Sequence, residues 1–346
     1  MSRIRLAING KEVEVASGTT ILEAAWNLGI YIPTLCSHPD LPPARGAAAA
    51  GEIYQGDKRI ENAMPGVPAR ECGLCVVEVQ GTGELIASCC TEVKPGMVVV
   101  TENERIRAKR QENLAPILSR HRHTCLTCDQ QEGCSLSQCS NNVPEKERCC
   151  TLFGNCELQD VAKYIGISTI TPKWAPADLP MLDQGPLYIR DYTLCIGCVR
   201  CVRACKDLRG VEAIGFVWDE NGRLQVGSLS QTLEEAGCKF CMACVDVCPT
   251  GALRDKKARQ GKEGDLVPCT ATCPAHIDVP GYIRLIAQGK PEQADARIRE
   301  KAPFPGILGR VCGSPCEKVC RRGEINEAVS ICALKRYAAD STIAVR

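Results

Sequence analysis

Two copies of one cysteine spacing constrain this chain more than any other feature. Cys195-x2-Cys198-x2-Cys201-x3-Cys205 is followed by Cys238-x2-Cys241-x2-Cys244-x3-Cys248-Pro249. Three thiolates two residues apart on one loop can hold three corners of a 4Fe-4S cube, while the fourth cysteine reaches the cube of the other motif. The expectation is one cluster on Cys195, Cys198, Cys201 and Cys248 and a second on Cys238, Cys241, Cys244 and Cys205. Lys206 stands where a proline usually follows the first motif, which loosens the turn without removing a ligand. Zinc fits this pattern poorly, because zinc sites take two CxxC pairs and not two equal quartets.

The whole chain carries 26 cysteines in 346 residues, more than a reducing cytosol uses for packing. The N-terminal "MSRIRLAINGKEVEV" alternates apolar and polar residues and lacks the apolar region of a signal peptide, so a cytoplasmic location is expected and a disulfide-rich secreted protein is not. A net charge of +1 gives no reason to expect nucleic acid or an anionic membrane as partner. The longest apolar runs fall short of a membrane span. Aromatic residues are only 4% of the chain, so inorganic centres are expected to organise segments that could not fold well alone.

Length favours several units. Residues 1–101 read as a β-grasp domain. "IRLAI" and "EVEVA" flank the turn "NGK", Thr19 or Thr20 caps the helix "ILEAAWNLG", and "CVVEVQG", "ELIASC" and "MVVVT" supply further strands. Residues 41–71, rich in Pro, Gly and Ala, read as an inserted surface loop. Cys36, Cys72, Cys75 and Cys89 lie in this unit, and four thiolates suit a 2Fe-2S cluster, though not with plant-type spacing. Residues 102–170 open with a charged helix that Pro116 would end or kink, followed by a stretch with two histidines and seven cysteines. Residues 183–255 hold the two ferredoxin motifs. Residues 266–346 show helical patterns at "GYIRLIAQG", "PEQADARIREK" and "EAVSICALKRYAAD" and carry six cysteines.

"IPTLCSHPDLPP", "CGLCVVEV" and "SCCTEVKPGMVV" resemble the N-terminal domain of the large iron–sulfur subunit of respiratory NADH dehydrogenase, a domain also found in diaphorase and α-subunits of NAD-linked hydrogenases. The likeness runs over roughly residues 1–255. It implies that Cys89 is the fourth 2Fe-2S ligand and Cys90 a spectator. It also implies a His-Cys 4Fe-4S site on His121-x3-Cys125-x2-Cys128-x5-Cys134, with Cys156, in a second "GC"-like context, as the alternative to Cys134. A neutral imidazole in place of a thiolate removes one negative charge and should raise the cluster's potential. His123 and His38 show no such pattern and read as surface or supporting residues. Cys139, Cys149, Cys150 and Cys156 are enough for one more cluster, or are thiols of a packed loop.

"CTATCPAHIDVPGYI" and "PFPGILGRVCGSPCEKVCRRGEINEAVSICALKRYAAD" resemble the helical iron–sulfur domain of the glutamate synthase small chain. That likeness implies a 4Fe-4S cluster on Cys273, Cys312, Cys316 and Cys332. Cys269 and Cys320 match half of a second set, whose preceding CxxC is absent.

The chain thus reads as an α+β multi-module iron–sulfur protein: a β-grasp 2Fe-2S domain, a His-Cys cluster region, a bacterial-type 2x4Fe-4S ferredoxin domain and a C-terminal α-helical iron–sulfur domain. One 2Fe-2S and at least four 4Fe-4S clusters are expected, with thiols left for one or two more. No GxGxxG before a helix, P-loop or nucleophile elbow occurs, so no catalytic, flavin or nucleotide-site residue is assigned. The resemblance implies a non-catalytic electron-transfer subunit of an NAD(P)-linked oxidoreductase complex. Its implied partners are a flavin- and NAD(H)-binding subunit, a small 2Fe-2S subunit, a hydrogenase, formate dehydrogenase or transhydrogenase unit, and soluble ferredoxin if the complex bifurcates electrons. The competing reading is a metal-stabilised structural or assembly platform.

Overall fold

The computed structural model describes residues 3–44, 46–127, 156–168, 171–172, 174, 179–183, 185–256 and 266–344. Cys128, Cys134, Cys139, Cys149 and Cys150 lie outside the described residues.

Strands β1 (Arg3–Ile8) and β2 (Lys11–Ala16) pair antiparallel with Ile8 opposite Lys11, which leaves Asn9 and Gly10 as a two-residue turn. Both have positive φ, 49° and 77°, the conformation that matches the strands' twist. Helix α1 (Ile21–Asn27) starts at Thr20, whose hydroxyl accepts from Glu23 N while Glu23 reaches back to Thr20 N, a reciprocal cap of the exposed N-terminus. Its buried Ile21, Leu22 and Ala25 pack with Leu6, Ile8, Val77 and Val99 under a five-stranded mixed sheet. That sheet has the order β2-β1-β7-β5-β6, completed by β5 (Val76–Val79), β6 (Glu84–Ala87) and β7 (Val98–Val100), with β1 and β7 parallel.

The 41–71 insertion is not a surface loop. Within it β3 (Glu52–Gln55) and β4 (Lys58–Glu61) form a hairpin. The hairpin joins β10 (Ile214–Trp218) and β11 (Leu224–Ser228) in a sheet ordered β10-β11-β3-β4. Ile53 and Gln55 are buried, Ala50 N donates to Phe216 O, Ala63 N donates to Trp218 O, and the Trp218 indole donates to Val67 O. The insertion therefore covers β10, all five of whose residues are buried. Its Pro/Gly/Ala composition reads as a loop, but its strands pair with residues more than 150 positions away, and tertiary packing overrides local propensity.

Helix α2 (Glu104–Leu118) carries Pro116 in its last turn without ending there. Arg110 fixes the helix to the β-grasp sheet by donating to the carbonyls of Val76 and Thr101, each at 2.9 Å, and pairing with Glu102 at 2.8 Å. Helix α3 (Glu157–Ile165) packs Leu158, Val161 and Ile165 against Leu114 and Leu118. A three-stranded sheet ordered β12-β9-β8 follows, from β8 (Met181–Leu182), β9 (Tyr188–Asp191) and β12 (Leu253–Asp255). Short helices α4 (Arg200–Arg203) and α5 (Ala243–Asp246) lead out of the two ferredoxin loops.

The C-terminal unit consists of α6 (Pro268–Ala271), α7 (Val279–Ala287), α8 (Pro291–Arg299), α9 (Pro305–Val311), α10 (Pro315–Lys318) and α11 (Ile331–Ala344). Each of the first five has a proline in its first turn, where the missing N–H costs nothing. Tyr282 and Ile298 share its core with Cys269 and Cys316. Helix α11 begins four residues later than the sequence pattern suggested, and α9 and α10 were not anticipated.

Candidate metal centres

The two ferredoxin loops repeat one unusual backbone. The residue two after the first cysteine and the residue after the second cysteine are left-handed in both: Gly197 and Val199 at φ 69° and 51°, Phe240 and Met242 at φ 53° and 65°. Three of these four are not glycine, and such conformations cost free energy that persists only where the surroundings impose them. Alternating right- and left-handed residues turn successive N–H groups toward one point, a cradle for an anionic centre. Phe240 N donates toward Cys238 Sγ at 3.4 Å and Ala213 N toward Cys205 Sγ at 3.2 Å.

The fourth cysteines cross. Cys195, Cys198, Cys201 and Cys248 line one cavity, with Thr250 beside Cys248. Cys205 lies in the electrostatic environment of Cys238 and Cys241, and Cys244 in that of Cys241, Cys238 and Cys205. Burial pushes Cys201 up to about 12 and Cys205 up to about 11, so as thiolates they need a compensating cation.

Cys36, Cys72, Cys75 and Cys89 also converge. Cys36 shares hydrogen bonds with Cys72 and Cys89, and Cys89 with Cys75. The Cys36 contact and then burial hold Cys72 well above the ordinary thiol range. Gly73 between Cys72 and Cys75 has φ 67°, and its carbonyl accepts from Asn113 Nδ2 at 2.7 Å. A β-carbon there would meet that same amide at 2.6 Å, so this position needs glycine. Cys90 turns away, its thiol donating to Ala87 O.

His121 is 4% exposed. Its Nδ1–H donates to Arg122 O at 2.8 Å, which directs the lone pair to Nε2, and Nε2 is buried with no hydrogen-bond partner among the described residues. A ring fixed through one nitrogen and bare at the other is how ligating histidines are oriented. Burial brings its pKa down to about 4, keeping it neutral. Cys125 is buried nearby in sequence. His123 is also buried, its Nδ1 against Leu118 O at 2.8 Å, so it is a packed residue and not a surface one. His38 pairs with Asp40. Cys156 stands at the N-terminal boundary of α3, whose first turn is tied to the ferredoxin unit by Leu158 N to Pro249 O and Glu157 to Arg200.

In the C-terminal unit Cys316 feels Cys332 and Cys273, and burial raises it to about 11. Cys312 is half-buried at the end of α9. Cys269 lies in the field of Cys320 and shares the core with Cys316.

Two buried arginines were not anticipated. Arg203 donates to the carbonyls of Cys36 and Pro42 and lies in the field of both Cys36 and Cys198. Arg190 faces Cys201 and Cys244 and stacks over Tyr192 at 5.5 Å. Each cation stands between two thiol groups. The only sequence signal for Arg203 is its place inside "CVRCVRAC".

Three family models match in succession. They are a 2Fe-2S iron–sulfur cluster binding domain over 1–52 and 61–104, the ferredoxin-like domain of NADH-quinone oxidoreductase subunit 3 over 185–254, and dihydropyrimidine dehydrogenase domain II, 4Fe-4S cluster, over 255–346. The last covers the C-terminal helical unit. The unmatched 53–60 falls on the β3–β4 hairpin. A G-type subunit of NADH-quinone oxidoreductase from Rhizobium meliloti is 30% identical over 277 residues, 78% of this chain and 26% of that protein. NADP-reducing hydrogenase subunit HndD of Solidesulfovibrio fructosivorans is 30% identical over 253 residues, 73% of this chain and 36% of that protein. The chain therefore spans only about a quarter to a third of these relatives. A solved structure, an NAD+-reducing NiFe-hydrogenase in the H2-reduced state, superposes with TM-score 0.51 at 25% identity, covering 74% of this chain and 88% of that one. Over about three quarters of its length the chain is thus similar to subunits of NADH-quinone oxidoreductase and NADP-reducing hydrogenase, and it matches 2Fe-2S and 4Fe-4S family models in succession.

Proposed function

We propose that the chain is an electron-transfer subunit: a wire of iron–sulfur clusters between a flavin- and NAD(H)-binding partner and a second redox unit of an oxidoreductase complex. The observation that carries this reading is that one continuous apolar core holds thiols of three groups, Cys36 and Cys72, Cys195, Cys198, Cys201 and Cys248, and Cys205, Cys238 and Cys244. Electrons pass efficiently only between centres held close together, and a shared core holds these at fixed separation.

The donor sets fit such centres. Cys36, Cys72, Cys75 and Cys89 would hold the 2Fe-2S cluster. The crossed quartets, the set Cys273, Cys312, Cys316 and Cys332, and the set His121, Cys125, Cys128 and Cys134 would each hold a 4Fe-4S cluster. Cys156 is the alternative fourth ligand of the last. When bound, the clusters supply reversible one-electron chemistry. The protein's own part is to orient His121 through Arg122 O, exclude water, and offset thiolate charge with Arg190 and Arg203. The resemblance to NAD-linked complexes favours a small 2Fe-2S subunit and a hydrogenase, formate dehydrogenase or transhydrogenase unit as neighbours. No helix among the described residues is long and apolar enough to cross a membrane.

Anaerobically purified chain should contain about 18 iron atoms, from one 2Fe-2S and four 4Fe-4S clusters, and give reducible EPR signals. A colourless zinc protein would instead establish the structural-platform reading.

A further inference from the structure

A cavity of about 360 Å³ lies between the ferredoxin motifs and the C-terminal helices. The cavity bounded by Cys195, Cys198, Cys201 and Cys248 is about 30 Å³, so a complete thiol quartet leaves far less room. Among the described residues three thiols line the larger cavity, Cys269, Cys320 and Cys241, and Cys241 belongs to the second ferredoxin motif. Two spare thiols do not complete a cubane, which needs four ligands. Arg209 already donates to Cys269.

Its charge is one-sided. Arg209, Lys239, Arg284, Arg321 and Arg322 line the cavity, and among the described residues no Asp or Glu lines it. Arg321 pairs with Asp246 at 3.1 Å. The other four have no carboxylate partner among the described residues: Arg209 donates to Leu266 O, and Arg322 donates to Asn326 and lies over Phe240. Gly210 lets the opposing surfaces meet, since a β-carbon there would lie 2.8 Å from Arg284 Cδ. The remaining wall is apolar, from Val279, Ile283 and Val329. Cations gathered without counter-charge on a low-dielectric wall attract an anion, and the volume is that of a small-molecule site.

We propose that this cavity binds a phosphate-bearing organic anion of about mononucleotide size, its phosphate on Arg284, Lys239 and Arg322 and its organic part on the apolar wall. The test is equilibrium dialysis of AMP and of inorganic phosphate against the anaerobically purified full chain with its clusters. AMP should bind saturably at one site, at least tenfold more tightly than phosphate. Binding should weaken at least tenfold in 0.5 M KCl, and at least tenfold in the double variant Arg284→Gln/Lys239→Gln with unchanged iron content. Absence of saturable binding, or binding indifferent to the double variant, overturns the proposal, and equal affinity for phosphate overturns the organic part. Iron content of Cys269→Ser/Cys320→Ser decides against a cluster there: unchanged iron supports the anion site, and loss of about four irons overturns it.

Discussion

His121 donates one nitrogen to the backbone, and its buried Nε2 has no hydrogen-bond partner among the described residues, so as a ligand the neutral ring would bring one negative charge fewer than a thiolate to its centre. In His121→Cys a thiolate replaces the neutral ring, and the midpoint potential of that centre should fall, on the order of 100 mV, with iron content retained. An EPR-monitored redox titration measures this, and an unmoved potential would show that His121 is not a ligand. Arg203 poses the opposite case. In Arg203→Met the carbonyls of Cys36 and Pro42 lose their donor inside the core, which should cost about 3 kcal/mol. Chemical denaturation read against the wild type tests the size of that loss. His121 was visible as a candidate in the sequence because its expected co-ligands lie within a few residues. Arg203 was not, because the carbonyls it holds lie more than 160 positions away and no local pattern pairs them.

Between elements, the two cysteine loops share a left-handed pattern but differ in what supplies it, Gly197 in one and buried Phe240 in the other. The spacing predicts a crossed ligation, since a fourth cysteine displaced by three residues leaves its own loop. Cys205→Ser should therefore damage the centre of Cys238, Cys241 and Cys244, and Cys248→Ser that of Cys195, Cys198 and Cys201. If EPR of each variant showed loss only at its own motif's centre, the crossed assignment would be wrong. The insertion taught the reverse lesson. Replacing residues 50–63 by a short Gly-Ser linker should uncover β10 and lower the melting temperature by several degrees, where a true surface loop would be removed at little cost. Calorimetry of the deletion variant separates the two.

Across the molecule, nine thiols among the described residues are buried. In the C-terminal unit Cys269 and Cys316 sit among Ile277, Val279, Tyr282 and Ile298, and no large sheet or aromatic cluster stands behind them. The β-grasp unit differs, since Leu6, Ile8, Ile21, Leu22, Val77 and Val99 form a core in which Cys75 and Cys89 lie at one edge of a continuous sheet. Units whose apolar burial is small depend on metal for folding free energy, whereas a unit with its own sheet and helix does not. Removing iron anaerobically with a chelator and reductant should therefore unfold the molecule unevenly. Helical signal from α7 to α11 should fall first, while the β-grasp strands keep slow amide exchange. Hydrogen exchange resolved by peptide, before and after chelation, measures both at once. Uniform protection across the two units after iron loss would mean that the helices stand on packing alone and that the clusters are passengers in the C-terminal fold.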